Sequence, residues 1–281
     1  MYQLVLLWLL SCAEGVWTFK LMKGPTCGTE ASYNLIHHNP WLTYIEYWRG
    51  ETRNDIRCAA SLIDSRHLLT AAHCIKTPKF TRLVARLGEY DLTSQEDCVN
   101  GVCADPIVRL EVGDAIVHPG YDGKNHDLAV LKLAEDAPYT DFIRPVCLPS
   151  GDLPPNTVFA ATGWGEIPQK GYYSTVKKII PLPLWTREKC EATYGARKVP
   201  INTICAGGEE GIDTCRGDSG GPLIWVKSKA ELWGVTSAGN SHCGTKNSPG
   251  LYTNVADHLE WVKDVISGNY KHTPRVDFDV L

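Results

Sequence analysis

Residues Ile212–Leu223 read "IDTCRGDSGGPL". Ser219 sits inside Gly217-Asp218-Ser219-Gly220-Gly221, with Asp213 and Cys215 just upstream. A serine flanked by glycines on a tight turn is a pattern that exposes a hydroxyl for nucleophilic attack. Asp218 is an awkward neighbour for such a serine. Its charge disfavours an oxyanion nearby unless it is solvated or matched by a cation.

The pattern G-x-S-x-G alone also fits the strand-to-helix elbow of parallel-sheet hydrolases. Two further stretches decide between the folds. "LTAAHC" places His73 beside Cys74 at the end of an apolar run, and "NHDLAVLKL" places Asp127 at the head of another. Taken singly, His73 reads as a structural histidine and Asp127 as a turn residue. Taken together they give the order His, Asp, Ser. The parallel-sheet alternative requires Ser, then acid, then His.

Around these stretches the chain alternates short apolar runs with Gly, Pro and Asn clusters. The runs include Leu42–Tyr47, Ser61–Asp64, His67–Ala71, Leu83–Gly88, Leu128–Leu133, Val158–Trp164, Lys177–Leu182, Pro222–Val226, Leu232–Ser237 and Gly250–Val255. This punctuation predicts an all-β barrel or sandwich. One helix pattern follows, with Val255, Leu259, Val262 and Ile266 on one stripe and Asn254 as its cap.

Bulk properties narrow the function classes. The chain has 281 residues and a net charge of −4, with no long basic run, which argues against a nucleic-acid partner. Leu4–Leu10 is apolar but too short to span a bilayer, so residues 1–15 read as a secretory signal peptide. Removing Cys12 with it leaves ten of the 11 cysteines, an even set that implies disulfides in a secreted, extracellular protein.

The motifs at His73, Asp127 and Ser219, with "PW" at Pro40, "RPVCLP", "GWG", "TICAG" and "PGLYTNV", resemble the chymotrypsin–trypsin family of serine endopeptidases. The likeness runs from about Pro40 to about Ile266. The loop "LGEYDLTSQEDCVNGVCADP" resembles the insect clip-domain proteases more specifically, although no clip domain is present. The resemblance implies two six-stranded antiparallel β-barrels and a C-terminal helix. It divides the chain into signal 1–15, a short lead or truncated activation segment 16–39, a protease domain 40–267 and a tail 268–281.

The resemblance also implies roles. His73, Asp127 and Ser219 form the catalytic unit, and the N–H groups of Gly217 and Ser219 the oxyanion hole. Asp213 lies at the base of the primary substrate pocket, with Ser237, Gly239 and Gly250 on its walls, which favours Arg or Lys. The disulfides pair Cys27–Cys147, Cys58–Cys74, Cys98–Cys103, Cys190–Cys205 and Cys215–Cys243. No cofactor is needed for catalysis. Glu89, Asp91, Thr93, Glu96 and Asp97 supply oxygens of a candidate calcium site; a plain solvated acidic loop is the alternative. The partners implied are protein substrates, an upstream activating protease and serpin-type inhibitors. Nucleic acid is not expected, nor is membrane once the signal is gone, and the protein is expected to be a monomer.

Three departures stand out. Ala238 occupies the place of a tryptophan in the family's S-W-G, and Ala59–Ala60 that of two glycines. The third concerns Asp218. In the family a cut after Arg or Lys frees an N-terminus such as Ile-Val-Gly-Gly, whose ammonium pairs with this aspartate. Here the stretch "GTEASYNLIHHNP", residues 28–40, has no lysine, no arginine and no such segment. One reading is activation by another cut, before Leu35 or Ile36. A second is a zymogen-locked or silent homologue that binds partners. The third, preferred because triad, pocket acid and oxyanion glycine are all kept, is a protein whose full coding sequence holds a segment missing from this one.

Overall fold

A computed structural model describes residues 26–76, 79–168 and 170–270. The signal-peptide reading, Cys12, residues 16–25 of the lead and the tail from 271 lie outside the described residues.

The first barrel is built from β1 (Leu42–Arg49), β2 (Thr52–Leu62), β3 (His67–Thr70) and β4 (Arg82–Leu87). A small hairpin of β5 (Cys98–Val99) and β6 (Val102–Cys103) interrupts it before β7 (Val108–Val117) and β8 (Ala129–Leu133). The second barrel contains β9 (Val158–Gly163), β10 (Lys178–Trp185), β11 (Thr203–Gly207), β12 (Pro222–Val226), β13 (Ala230–Ala238) and β14 (Pro249–Asn254). The strands close in the orders β1-β2-β3-β8-β7-β4 and β10-β11-β14-β13-β12-β9. This is the double six-stranded antiparallel barrel that the sequence led us to expect. Closure removes the open edges that would otherwise seek another strand.

β10 carries Pro181 and Pro183, which cannot donate to a ladder. They lie where β10 pairs with β9 alone; β11 joins it only at Leu184 and Trp185. The helices are the short α1 (His73–Lys76), α2 (Arg187–Tyr194) and α3 (Leu259–Ile266). The C-terminal helix starts later than its apolar stripe suggests. A 3-10 turn, Ala256–His258, precedes α3 with Val255 and not Asn254 at its N-cap; Asn254 Oδ1 instead accepts from Ala256 N at 3.1 Å, two residues on.

Trp261, Val262 and Val265 of α3 pack into the same apolar cluster as Ile116, Leu128 and Val130 of the first barrel and Leu232 and Val235 of the second. The C-terminal helix thus joins the main core cluster, which contains residues of both barrels. Five disulfides staple the chain: Cys27–Cys147, Cys58–Cys74, Cys98–Cys103, Cys190–Cys205 and Cys215–Cys243.

Candidate active site

His73 opens α1, directly after β3, and Cys74 anchors that turn to β2 through Cys58. Asp127 precedes β8 and is buried. Its carboxylate grips His73 twice: the backbone N–H donates to Oδ1 at 2.8 Å and Nδ1 donates to Oδ2 at 2.7 Å. An ionised carboxylate only accepts, so Nδ1 carries a proton, and in the neutral ring the lone pair is on Nε2. Ser237 Oγ donates to the same Oδ2 at 2.6 Å, and Thr253 Oγ1 to the Asp127 carbonyl at 2.9 Å. The sequence reading put Ser237 on the pocket wall. It does line the cleft beside Ser219, but its hydroxyl is spent on Asp127.

Ser219 comes from the second barrel, on the loop between β11 and β12. Its carbonyl accepts from Ala59 N of β2 at 2.8 Å. Gly220, at φ +77°, lies so close to β2 and β3 that a Cβ there would meet Thr70 Oγ1 at 2.2 Å and the Ala59 carbonyl at 2.3 Å. Only glycine lets the loop reach across the seam. The alanines at 59 and 60 are accommodated: both are buried, and Ala59 packs with Leu42, Tyr44 and Trp164. The Ser219 hydroxyl itself stands outside the hydrogen-bonded set of His73 and Asp127, and such contacts commonly tighten only with substrate.

Gly217 has φ +94°, and the Arg216 carbonyl before it accepts from Glu166 N at 2.8 Å. In a trans peptide the N–H points opposite to the carbonyl, so the Gly217 N–H faces away from Glu166. Tyr173, which also stacks on Arg57 at 4.3 Å, covers Gly217: a Cβ there would touch its ring at 3.1 Å.

The cleft beside Ser219, of about 190 Å³, is lined by Thr214, Cys215, Ser237, Ala238, Gly239 and Cys243. Gly250 approaches Gly239 from behind, with 3.9 Å between its Cα and the place of a Gly239 Cβ. Asp213 was expected at the base of this cleft. Asp213 lines a cavity of about 210 Å³ that adjoins the cleft at Thr214 and also includes Asp218. Asp213 Oδ2 accepts from Gly244 N at 3.0 Å, and its Oδ1 is buried without a partner. Burial pushes its carboxyl up to about 6. Thr214 lines both spaces. At the other end, exposed Ala238 borders a further space of about 400 Å³ with His73, Lys124, Arg197 and Lys198.

Asp218 answers the question raised by its sequence neighbours. It is buried, and its carboxylate accepts from Gly165 N at 2.8 Å and Cys215 N at 2.9 Å. The two glycines of "GWG" exist for it: a Cβ on Gly163 or Gly165 would fall 2.0 or 2.2 Å from its oxygens. Among the described residues no cation pairs with it. Burial first, and the charge of Asp213 last, push it up to about 6. Lys178 lines the same cavity but is exposed and forms no ion pair with either acid. No residue between Cys27 and Trp41 lines it. Ile36, next to the proposed alternative cut, is itself buried.

In the acidic loop the carboxylates are engaged by groups of the chain itself. Glu89 pairs with the Arg86 guanidinium. Asp97 accepts from the Tyr90 and Asp91 amides at 3.0 and 3.1 Å, and Asp91 turns to the amide and hydroxyl of Thr93. Glu89, Asp91, Glu96 and Asp97 do not converge as a cluster of cation ligands. Lys177 is buried, its Nζ donates to the His38 carbonyl at 2.6 Å, and its charge is felt by Glu30, Asp97 and Glu89. Burial lowers it to about 8 against their attraction. Nothing in the local sequence of "STVKKII" marks Lys177 for this place, nor Tyr173 or Thr253 for theirs.

The family model described as Trypsin matches residues 28–262. The phenoloxidase-activating enzyme of Bombyx mori is 40% identical over 259 residues, covering 81% of this chain and 58% of that protein. The CLIP domain-containing serine protease B10 of Anopheles gambiae is 37% identical over 254 residues, covering 84% and 68%. Among solved structures, neuropsin, a serine protease expressed in the limbic system of mouse brain, aligns with a TM-score of 0.68 at 30% identity, covering 83% of this chain and 96% of that one. The chain thus spans less than two thirds of the length of the Bombyx mori relative.

Proposed function

The chain belongs to the trypsin family of serine endopeptidases, and from that premise we propose that it hydrolyses peptide bonds after Arg or Lys in protein substrates. The observation that carries the reading is the double grip of Asp127 on His73, which fixes the ring with Nε2 unprotonated beside the barrel seam where Ser219 lies. In the reaction His73 Nε2 takes the Ser219 proton as Oγ bonds to the substrate carbonyl carbon. The Gly217 and Ser219 amides receive the oxyanion. The imidazolium then gives its proton to the leaving amine as the C–N bond breaks. Water, deprotonated by the same nitrogen, releases the acyl group and restores Ser219. A fluorophosphonate titrant tests the site: labelling of Ser219 in activated protein, abolished by His73→Ala, supports the reading, and labelling elsewhere sinks it.

Asp213 carries the basic preference in this proposal. Asp213→Ser is expected to lower kcat/KM for Arg and Lys peptides by about a hundredfold, the scale of truncating one partner of a buried charge pair. Titrant labelling of Ser219 should persist. A peptide library showing an aromatic preference in the parent chain would overturn the assignment.

The setting we infer is extracellular. The five disulfides suit an oxidising compartment. Among the described residues no helix is long and apolar enough to cross a membrane. The similarity to a phenoloxidase-activating enzyme and to CLIP-domain proteases supports a place in a protease cascade, with an activating protease upstream and serpin-type inhibitors as partners. A second reading is favoured by the uncompensated Asp218: a zymogen-locked homologue that binds cascade partners without cutting them.

A further inference from the structure

His118, His126 and His258 come together beside the catalytic seam, with one ligand nitrogen from each within 4.8 Å of the others. They come from distant parts of the chain. His118 follows β7, His126 precedes Asp127 at φ +53°, and His258 ends the turn before α3. His118 stacks on His126 with centroids 4.7 Å apart and meets the Trp261 ring edge-on at 4.8 Å.

The hydrogen bonds fix which nitrogens are available. His258 Nδ1 lies 2.7 Å from the Asn254 carbonyl, which can only accept, so Nδ1 carries the proton and Nε2 the lone pair. That lone pair points at His126 Nδ1, 3.1 Å away. Two nitrogens bound to one tetrahedral zinc at about 2.05 Å stand about 3.3 Å apart. A backbone carbonyl holding the far N–H of a histidine is also how metal-ligating imidazoles are oriented. The other two clusters of this kind differ, because the sulfurs of Cys58, Cys74, Cys98 and Cys103 are tied up in disulfides.

We propose that His118, His126 and His258 form a binding site for a divalent cation of the zinc class, with three imidazole ligands and water in the fourth position. His258 binds through Nε2 and His126 through Nδ1, the proton of the latter moving to its own Nε2. His118 closes the triangle through a ring nitrogen once its ring turns out of the stack on His126, because one ion cannot lie in the planes of two near-parallel rings; its Nδ1 otherwise accepts from Gly120 N at 3.1 Å. Imidazole ligands suit zinc, copper and nickel over calcium or magnesium. The ion clips the loop that carries Asp127 to the turn that starts α3, joining residues 132 apart in sequence.

The test uses the full chain, stripped with a chelator and titrated with Co(II) and then Zn(II). The expected result is one Co(II) per chain with the intense visible bands of a tetrahedral site, displaced by zinc. Zinc at a hundredfold excess over its dissociation constant should raise Tm by about 5 °C. His126→Asn, which keeps the left-handed backbone, and His118→Gln should each weaken binding at least about tenfold. Circular dichroism identifies any variant that fails to fold, and the other is then read. Absence of stoichiometric binding in the parent chain, or undiminished binding in a folded variant, overturns the proposal. None of these readouts depends on peptidase activity, so the site stands or falls apart from the proposed function.

Discussion

Ser219→Ala lowers peptide hydrolysis in activated protein by at least about a thousandfold, with substrate-like inhibitors still bound. The reason is the division of labour across the seam. His73 and Asp127 are held by β2, β3 and the start of β8, whereas Ser219 is delivered by a loop of the second barrel through Gly220. Removing the hydroxyl leaves the imidazole correctly protonated with no proton to take. For the same reason the loss in a Ser219→Ala, His73→Ala double variant should scarcely exceed that of either single change. Additive losses would show that the two side chains act independently, and unchanged hydrolysis in Ser219→Ala would refute the triad.

A second large effect is expected from giving Asp218 a cation. Replacing part of residues 28–40 with a segment containing Arg-Ile-Val-Gly-Gly, then cutting after the arginine, should raise the rate of Ser219 labelling by a hundredfold to a few thousandfold. That range corresponds to the ~3–5 kcal/mol at stake when a buried charge gains or loses its partner. The parent chain under the same protease should change little, since that stretch offers no basic residue. Rapid labelling of the untreated parent would show that Asp218 needs no cation. Failure of the cleaved graft would favour the silent binding homologue.

The same carboxylate should be visible in stability. Asp213 and Asp218 are both raised from 3.8 to about 6 in the folded protein. The folded state therefore holds these protons more tightly than the unfolded chain. Their contribution is complete below pH 3.8 and is lost as pH rises through about 6, on the order of 3 kcal/mol for each carboxyl. Asp218→Asn should remove its share of this fall, giving a flatter Tm profile between pH 4 and 7 and a higher Tm at neutral pH. An unaltered profile would mean that the carboxyl is not destabilising when ionised.

The strands visible in the sequence are those with continuous apolar runs, such as Leu128–Leu133 and Leu232–Ser237. β7 escaped notice because Arg109, Glu111 and Asp114 interrupt it, although Val112, Ala115, Ile116 and Val117 face the core. The first half of β2, "TRNDIR", is exposed or half-buried and reads as a loop. α2 buries only Cys190, so it has no apolar stripe; its start rests on Thr186 accepting from Lys189 N. In the site, His73, Asp127 and Ser219 were legible because each sits in its own local motif. The Gly163–Gly165 cradle, Thr253 and the buried Lys177 were not. Each depends on groups far apart in the chain, and no local pattern encodes such distances.

The Cys27–Cys147 bond has a consequence for any protease that cuts the stretch after it. Gly28 is held by Pro145 and Ala230 through backbone hydrogen bonds, and Cys27 by its sulfur. A nick between Cys27 and Trp41 therefore sheds nothing. Whatever precedes Cys27 stays leashed to the molecule through Cys147. On a non-reducing gel the nicked protein runs as one band, and only a thiol reductant separates the pieces. Upstream sequence could thus serve as a permanent handle, keeping the cut form wherever the uncut form was docked.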